Sequence, residues 1–328
     1  GVPVPSDSGG GAGGVRLLAV TGATGYLGRP LLLGLTSRPG YVVRALTRRD
    51  PAAAGIGARQ LLKGDLLDPR ASLSLLEPGC DVVNLAYLWR GSEEQNLLAV
   101  RNLLRACKAR RVRRLIHVSS VAVYGRAPGD RVTERSPCLP VTSYGRTKLS
   151  IERLLREECT VEHAIVQPTT VFDGDCPPLE RMLSDLGANR PRAWLRSGIF
   201  NARRMNLVHA ENVSAAIMFL LDPPALDAGS SFIVSDDEDP ANNYRDIEIH
   251  LMKAIGAPDY AVPRLRLPDP GLSMLLRARG HDNVNPRRVF DGARLRGLGW
   301  TGPVPFVAGL QRFAARFMER HARPGARA

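Results

Sequence analysis

The 328-residue chain has no run of 18 consecutive apolar residues, so no bilayer-spanning helix is expected. Cysteine is sparse and scattered. The five thiols, Cys80, Cys107, Cys138, Cys159 and Cys176, show no C-x-x-C spacing. That argues against a disulfide framework and against a metal site, and for reduced thiols in a cytoplasmic protein. Cys176 reads as an ordinary loop thiol. Aromatic residues make up 5% of the chain and form no aromatic-basic motif. With no basic helix either, a nucleic-acid partner is not expected. Lysine is the scarcest charge, at four of the 45 basic residues, so the formal charge of +13 is an arginine charge. Such a field favours an anionic small substrate. The run Arg110-Arg111-Val112-Arg113-Arg114 is expected as a solvated helix end beside the negative C-terminal dipole.

What the chain does contain begins with a glycine loop. Arg16 to Thr21 is a short apolar run suited to a buried parallel strand. Thr21-Gly22-Ala23-Thr24-Gly25-Tyr26-Leu27-Gly28 follows, and Leu31, Leu32, Leu33 and Leu35 continue with helical spacing. Gly22 permits a sharp turn, Gly25 lets backbone approach a pyrophosphate, and Gly28 lets the helix pack close to the strand. Thr24, Tyr26 and Leu27 complete the cradle. The pyrophosphate would lie on the helix amides, where the macrodipole favours negative charge. A second strand spans Tyr41 to Leu46. Its end normally carries an acid when the cofactor has a free ribose 2'-hydroxyl. Here Thr47-Arg48-Arg49 stands there, followed by Asp50. Arg48 and Arg49 suit a 2'-phosphate, so NADP is favoured, with NAD possible if Asp50 turns inward.

Strand and helix continue to alternate. Arg59 to Gly64 leads into Asp65 and Leu66, which would flank the adenine. Cys80 to Ala86 and Arg114 to Ser120 read as further strands, with an amphipathic helix from Glu94 to Lys108 between them. Its inward residues are expected to be Leu97, Leu98, Val100, Leu103 and Leu104. A helix from Tyr144 to Glu157 and a strand from Glu162 to Gln167 follow. This order implies an α/β fold, a doubly wound parallel sheet of the Rossmann type, with ligands at the carboxyl ends of the strands.

Three residues then stand out. Tyr144 and Lys148 are four apart on a helix and share a face. Ser120 closes the preceding strand. A phenol titrates near 10, too high for neutral acid–base work unless a neighbouring ammonium stabilises phenolate. Lys148 supplies that ammonium and can hold the nicotinamide ribose. Ser120 can hold a substrate oxygen beside the Tyr144 hydroxyl.

The chain resembles the extended short-chain dehydrogenase/reductases of the nucleotide-sugar epimerase, dehydratase and ketoreductase type. The glycine loop, Gly64-Asp65-Leu66, Asn84-Leu85-Ala86, Val118-Ser119-Ser120-Val121-Ala122-Val123-Tyr124-Gly125 and Ser143-Tyr144-Gly145-Arg146-Thr147-Lys148 carry the likeness. Gln167-Pro168-Thr169-Thr170-Val171-Phe172, Leu207-Val208-His209-Ala210-Glu211-Asn212-Val213 and Leu298-Gly299-Trp300 extend it over about residues 15 to 318. The resemblance implies that Leu85, Ala86, Pro168 and Thr170 line the cofactor. It also implies that Tyr87 and Ser120 meet the substrate, and that Arg204 is the candidate diphosphate contact, with its arginines shifted in register. Dehydratases of this kind carry an Asp-Glu pair directly after the serine, and decarboxylating members a Glu two residues on. This chain has Val121 and Ala122 there, which cannot move a proton. Keto-sugar reduction or C4 epimerisation of a nucleoside diphosphate sugar remains, by a homodimer. Reduction of a steroid- or flavonoid-type ketone is the alternative enzyme reading, and a non-catalytic NADP sensor the alternative class. An intact Ser-Tyr-Lys set argues against a sensor.

The expected organisation is a disordered segment over 1–14, which is no signal peptide, and a dinucleotide-binding domain over 15–172 with a return segment near 198–222. A smaller C-terminal substrate lobe takes 173–197 and 223–318, and a frayed basic tail 319–328.

Overall fold

The computed structural model describes residues 15–25, 27–36, 40–48, 60–173, 175–222 and 226–322. Tyr26, Arg49, Asp50, the first 14 residues and the last six lie outside the described residues. In chain order the elements are β1 (Arg16–Thr21), α1 (Gly28–Thr36), β2 (Tyr41–Thr47), β3 (Gln60–Lys63), α2 (Pro69–Leu75), β4 (Asp81–Asn84) and α3 (Glu93–Ala109). Then come β5 (Arg114–Val118), β6 (Arg131–Val132), α4 (Ser143–Glu158), β7 (Glu162–Pro168), β8 (Thr170–Phe172), α5 (Pro177–Ala188) and α6 (Arg190–Phe200). The remainder is β9 (Leu207–His209), α7 (Ala210–Leu221), β10 (Ser230–Val234), α8 (Tyr244–Ala254), α9 (Asp269–Ala278), β11 (Val289–Phe290), α10 (Ala293–Gly297) and α11 (Phe306–Ala322).

Seven strands form one parallel sheet in the order β10-β7-β5-β4-β1-β2-β3. The fold is a Rossmann-type α/β fold. Alternate residues of each strand feed opposite layers. Leu18 and Val20 pack with Leu31 and Leu32 of α1 and with Val213, Ile217 and Leu220 of α7. Ala19, Val82 and Leu115 pack with Leu103 of α3 and Ile151 and Leu155 of α4. Because both faces are covered, the strands are apolar throughout rather than alternating. The order reverses between β1 and β4, which opens a crevice outside their carboxyl ends.

A separate apolar cluster joins α5, α6, α8 and α11 through Leu179, Leu183, Ala193, Ile247, Leu251, Leu310 and Phe313. Three readings of the sequence are corrected. Ser230–Val234, assigned to the substrate lobe by chain order, is the seventh strand of the main sheet, paired in parallel with β7. Leu98, expected inward, is 44% exposed, because the stripe buried on α3 follows Ala99, Val100, Leu103 and Leu104. Arg113 and Arg114 are not a solvated helix end. Arg113 forks onto both oxygens of Asp81 at 2.7 Å, and buried Arg114 donates to the Leu220 carbonyl at 3.0 Å and to Glu162 at 2.7 Å. They are drawn in because β5 starts at Arg114, facing unpaired carbonyls at the C-terminal end of α7.

No helix among the described residues is long and apolar enough to cross a membrane. Among the same residues no cluster of three or more metal-ligating side chains occurs.

Candidate active site

The glycine loop joins β1 to α1 with almost no spare room. Gly22 has φ +70°, and a Cβ there would sit 2.6 Å from the Ala86 amide nitrogen. A Cβ on Gly28 would come within 2.0 Å of the Ala23 carbonyl oxygen. Bare backbone therefore faces the crevice, and the first amides of α1 point to it. A cleft of about 840 Å³ lies against this loop. Gly22, Thr24, Gly25 and Leu27, after β1, and Leu85, Ala86 and Tyr87, after β4, line its middle, Arg48, Asp65 and Leu66, after β2 and β3, line one end, and Pro168 and Thr170 line it too. Ser120, Tyr144 and Lys148 line the other end. Residues from seven separate stretches of chain thus meet in one crevice. The bare glycine cradle and the volume of the cleft fit a dinucleotide.

The far end owes its geometry to α4. Thr142 caps this helix by accepting from the Gly145 amide at 3.1 Å. Asp282, from a distant loop, accepts from the Val141 and Thr142 amides at 3.1 Å each and from the Thr142 hydroxyl at 2.7 Å. This fixes the helix start two residues before Tyr144. Gly145 then lets α4 press on the turn after Ser120, where a Cβ would lie 2.7 Å from the Ala122 carbonyl oxygen. Ser120 accepts the Ala122 amide through Oγ at 3.2 Å, so its hydroxyl proton is left to donate.

Burial is the main influence on both titrating groups. It pushes the Tyr144 phenol up to about 12, against the opposing hydrogen bond to Ser120. It brings the Lys148 ammonium down to about 8, against the favourable charge of Glu152 one helical turn on. Lys148 is 3% exposed, donates to the Val118 carbonyl at 2.9 Å, and lies over the Tyr87 ring at 5.0 Å and the Tyr144 ring at 5.8 Å. Tyr144 is therefore a protonated acid at neutral pH, and the ammonium near it is close to its own titration point. Above about pH 8 Lys148 becomes neutral, and a phenolate at Tyr144 would lose its nearest cation. For any reaction in which Tyr144 donates the proton, the expected kcat/KM is flat at lower pH and falls through about pH 8 with unit slope. Initial rates at fixed ionic strength from about pH 6 to pH 10 check this, and a flat profile would contradict it.

Behind the site runs a buried polar chain that the sequence did not announce. The Thr21 hydroxyl donates to Asn84 Oδ1 at 2.6 Å, and Asn84 Nδ2 meets His117 Nδ1 at 3.0 Å. Burial first, then the Lys148 charge, holds His117 well below the usual imidazole range. A neutral ring accepting at Nδ1 from Asn84 clamps β1, β4 and β5 together at their carboxyl ends.

A second recess of about 440 Å³ meets the cleft at Ser120, Tyr144, Thr169 and Thr170. Arg203, Asn206, Arg279, His281 and Asn283 line it. Arg204 does not; its guanidinium is held by the carbonyls of Asp237 at 2.9 Å and Asp239 at 3.2 Å. Arg203, one residue earlier, faces the recess instead. Its Nε is buried without a hydrogen-bond partner, it has no acidic partner among the described residues, and burial lowers its pKa. A guanidinium sitting beside a strand-entry turn could have drawn notice earlier, but which of two adjacent arginines faces inward is a matter of backbone path.

The family model of the NAD-dependent epimerase/dehydratases matches residues 18–234, which take in the glycine loop, Ser120, Tyr144 and Lys148. The chain belongs to that family. It is thus an NAD(P)-dependent enzyme of the extended short-chain oxidoreductase and epimerase group. A Stigmatella aurantiaca ketoreductase of a farnesylated dihydroquinoline oxide is 32% identical over 198 residues, covering 55% of this chain and 57% of that protein. UDP-glucose 4-epimerase 2 of Oryza sativa is 33% identical over 167 residues, covering 44% of this chain and 41% of the relative. These matches therefore span about half the length of each relative. Among solved structures, dTDP-glucose 4,6-dehydratase from Bacillus anthracis with NAD aligns with TM-score 0.70 at 15% identity, over 93% of this chain and 97% of that one. At that identity the likeness speaks for the fold alone.

Proposed function

We propose that the protein acts on a nucleotide-linked sugar, reducing a keto carbon or inverting C4 through a 4-keto form. The observation that carries this reading is Arg203. A half-buried guanidinium without a counter-charge is costly, and an anionic ligand in the recess would offset that cost through charge-assisted hydrogen bonds. Arg279 and His281 beside it add donors for the same anion. A diphosphate held there would lead its sugar to the junction with the cleft, where Ser120 and Tyr144 wait. The diphosphate role thus passes from Arg204 to Arg203, and the cluster of α5, α6, α8 and α11 would form the substrate lobe.

A nicotinamide cofactor held in the cleft would supply or accept hydride. The protein's own residues do the rest. Tyr144 gives a proton to the substrate oxygen in reduction and takes one in oxidation. Ser120 donates a hydrogen bond to that oxygen. Lys148 stabilises the phenolate and holds the ribose. Val121 and Ala122 offer no second proton carrier, so products should never be lighter by water or carbon dioxide. The test is incubation with UDP- and dTDP-linked hexoses and their keto forms, read by NADPH loss, by inversion at C4 and by product mass. Inertness toward all of them, with turnover of a steroid or flavonoid ketone, would transfer the assignment to the second reading. That reading draws its support from the apolar wall of Tyr87, Leu88 and Trp89 and from the Stigmatella relative.

NADP is the cofactor we favour. Arg48 lines the adenine end of the cleft and makes no side-chain hydrogen bond or ion pair within the described residues, which leaves its fork available to a 2'-phosphate. Arg48→Asp is expected to weaken NADPH by about tenfold or more and to improve NADH, since a carboxylate accepts from ribose hydroxyls. Titrating both cofactors against both proteins decides it. Tighter NADH binding by the unaltered chain would reverse the assignment.

A further inference from the structure

Trp89 is out of place for a surface residue. It is 75% exposed, yet its indole stacks on the Tyr144 ring with centroids 5.2 Å apart and planes only 6° from parallel. Tyr87 meets both rings edge-on, at 4.9 Å from Trp89 and 5.1 Å from Tyr144. The loop that carries the indole is held at both sides. Asn96 accepts the Leu88 amide at 2.9 Å, and Ser92 and Gln95 close a capping box at the start of α3. A large aromatic surface is thus held at the mouth of the cleft, against the residue we read as the proton donor, with most of its area uncovered.

Trp89 lines the cleft and not the polar recess, whereas Tyr144 lines both. A substrate anchored in the recess by its phosphates and presented to Tyr144 would carry the remainder of its ring past Tyr144 toward the indole. An electron-rich aromatic face attracts the weakly positive C–H hydrogens on the apolar side of a pyranose. We propose that Trp89 is a specificity-determining residue: its indole is the platform on which the reacting sugar ring packs, so that the ring carbon and its oxygen meet Tyr144 and Ser120. This rests on the nucleotide-sugar reading above, and it assigns the contact made by the sugar rather than by the nucleotide.

The test uses the whole chain with NADP⁺ and two probes, UDP-glucose and UDP. The chain has three tryptophans, so the emission change lost in Trp89→Phe is the Trp89 signal. UDP-glucose should change that signal and UDP should not, although both bind. Trp89→Ala should weaken UDP-glucose by about tenfold and leave UDP and NADP⁺ affinities unchanged, while Trp89→Phe recovers most of the loss. Equal weakening of both probes, or equal UDP-glucose affinity in Trp89→Ala and the unaltered chain, would overturn the platform while leaving the substrate class intact. Failure of the unaltered chain to bind either UDP or dTDP would overturn the substrate class, and the platform with it; where dTDP alone binds, the same comparison is made with dTDP-glucose and dTDP. Unchanged thermal unfolding of both variants is the check that neither result comes from misfolding.

Discussion

Tyr144→Phe is expected to lower turnover by about 10²–10⁴-fold while leaving cofactor affinity near that of the unaltered chain. The substitution deletes one oxygen and keeps the ring. That ring is held by packing, between the Trp89 stack and the edge of Tyr87, so the helix start and the neighbouring side chains have no reason to move. In the proposed function the oxygen is the group that moves the proton. Burial keeps it protonated to about pH 12, Ser120 hydrogen-bonds it, and Lys148 lies within 5.8 Å of its ring. Its loss would remove the proposed proton carrier and leave the glycine loop, on a separate stretch of chain, untouched. Steady-state rates together with a cofactor titration and a melting curve separate the three quantities. Turnover within about tenfold of the unaltered chain would mean another group moves the proton.

Gly28→Ala is expected to weaken the cofactor by about 100-fold, roughly 3 kcal/mol, and to cost stability as well. The reason is space rather than backbone conformation. A Cβ at this position would lie 2.0 Å from the Ala23 oxygen, 2.4 Å from its carbonyl carbon and 2.6 Å from its Cα. All three are backbone atoms, so no side chain can swing aside. The loop from Ala23 to Gly25 must shift, and its amides and those of α1 are the ones a pyrophosphate would use. Gly187→Ala is the matched control. It lies within helix α5, and a Cβ there meets nothing within 4 Å. That variant should melt no lower than the unaltered chain. Cofactor titration and thermal unfolding of both variants test the assignment, and a Gly28→Ala protein that binds NADPH normally would show that the cradle is not where the dinucleotide lies.

Much of the molecule was legible before any coordinates. Apolar runs with helices between them give a parallel sheet because both sheet faces are covered, and a buried strand then needs no alternation. The glycine spacing and the Tyr-x-x-x-Lys spacing are local properties, since a turn and a shared helix face span only a few residues. Leu98 shows where local reading weakens. Two leucines in a row satisfy an amphipathic pattern equally well, and only the packing partner decides which one is covered. Ser230–Val234 shows it more strongly. Its place beside β7 follows from the path of the 61 residues between the two strands, which no periodicity describes.

The sequence by itself determined the fold class, the glycine-lined crevice and the candidacy of Ser120, Tyr144 and Lys148, because each depends on short-range spacing of residue types with narrow conformational or chemical uses. The tertiary structure alone decided what surrounds the trio. It put Asp282 at the start of α4, Gly145 against the Ala122 carbonyl, Arg203 rather than Arg204 in the polar recess, and Trp89 on the face of Tyr144. Those are contacts between segments far apart in the chain, or choices between adjacent residues. Chain entropy and side-chain packing over the whole molecule settle them, and no short window of sequence contains that balance.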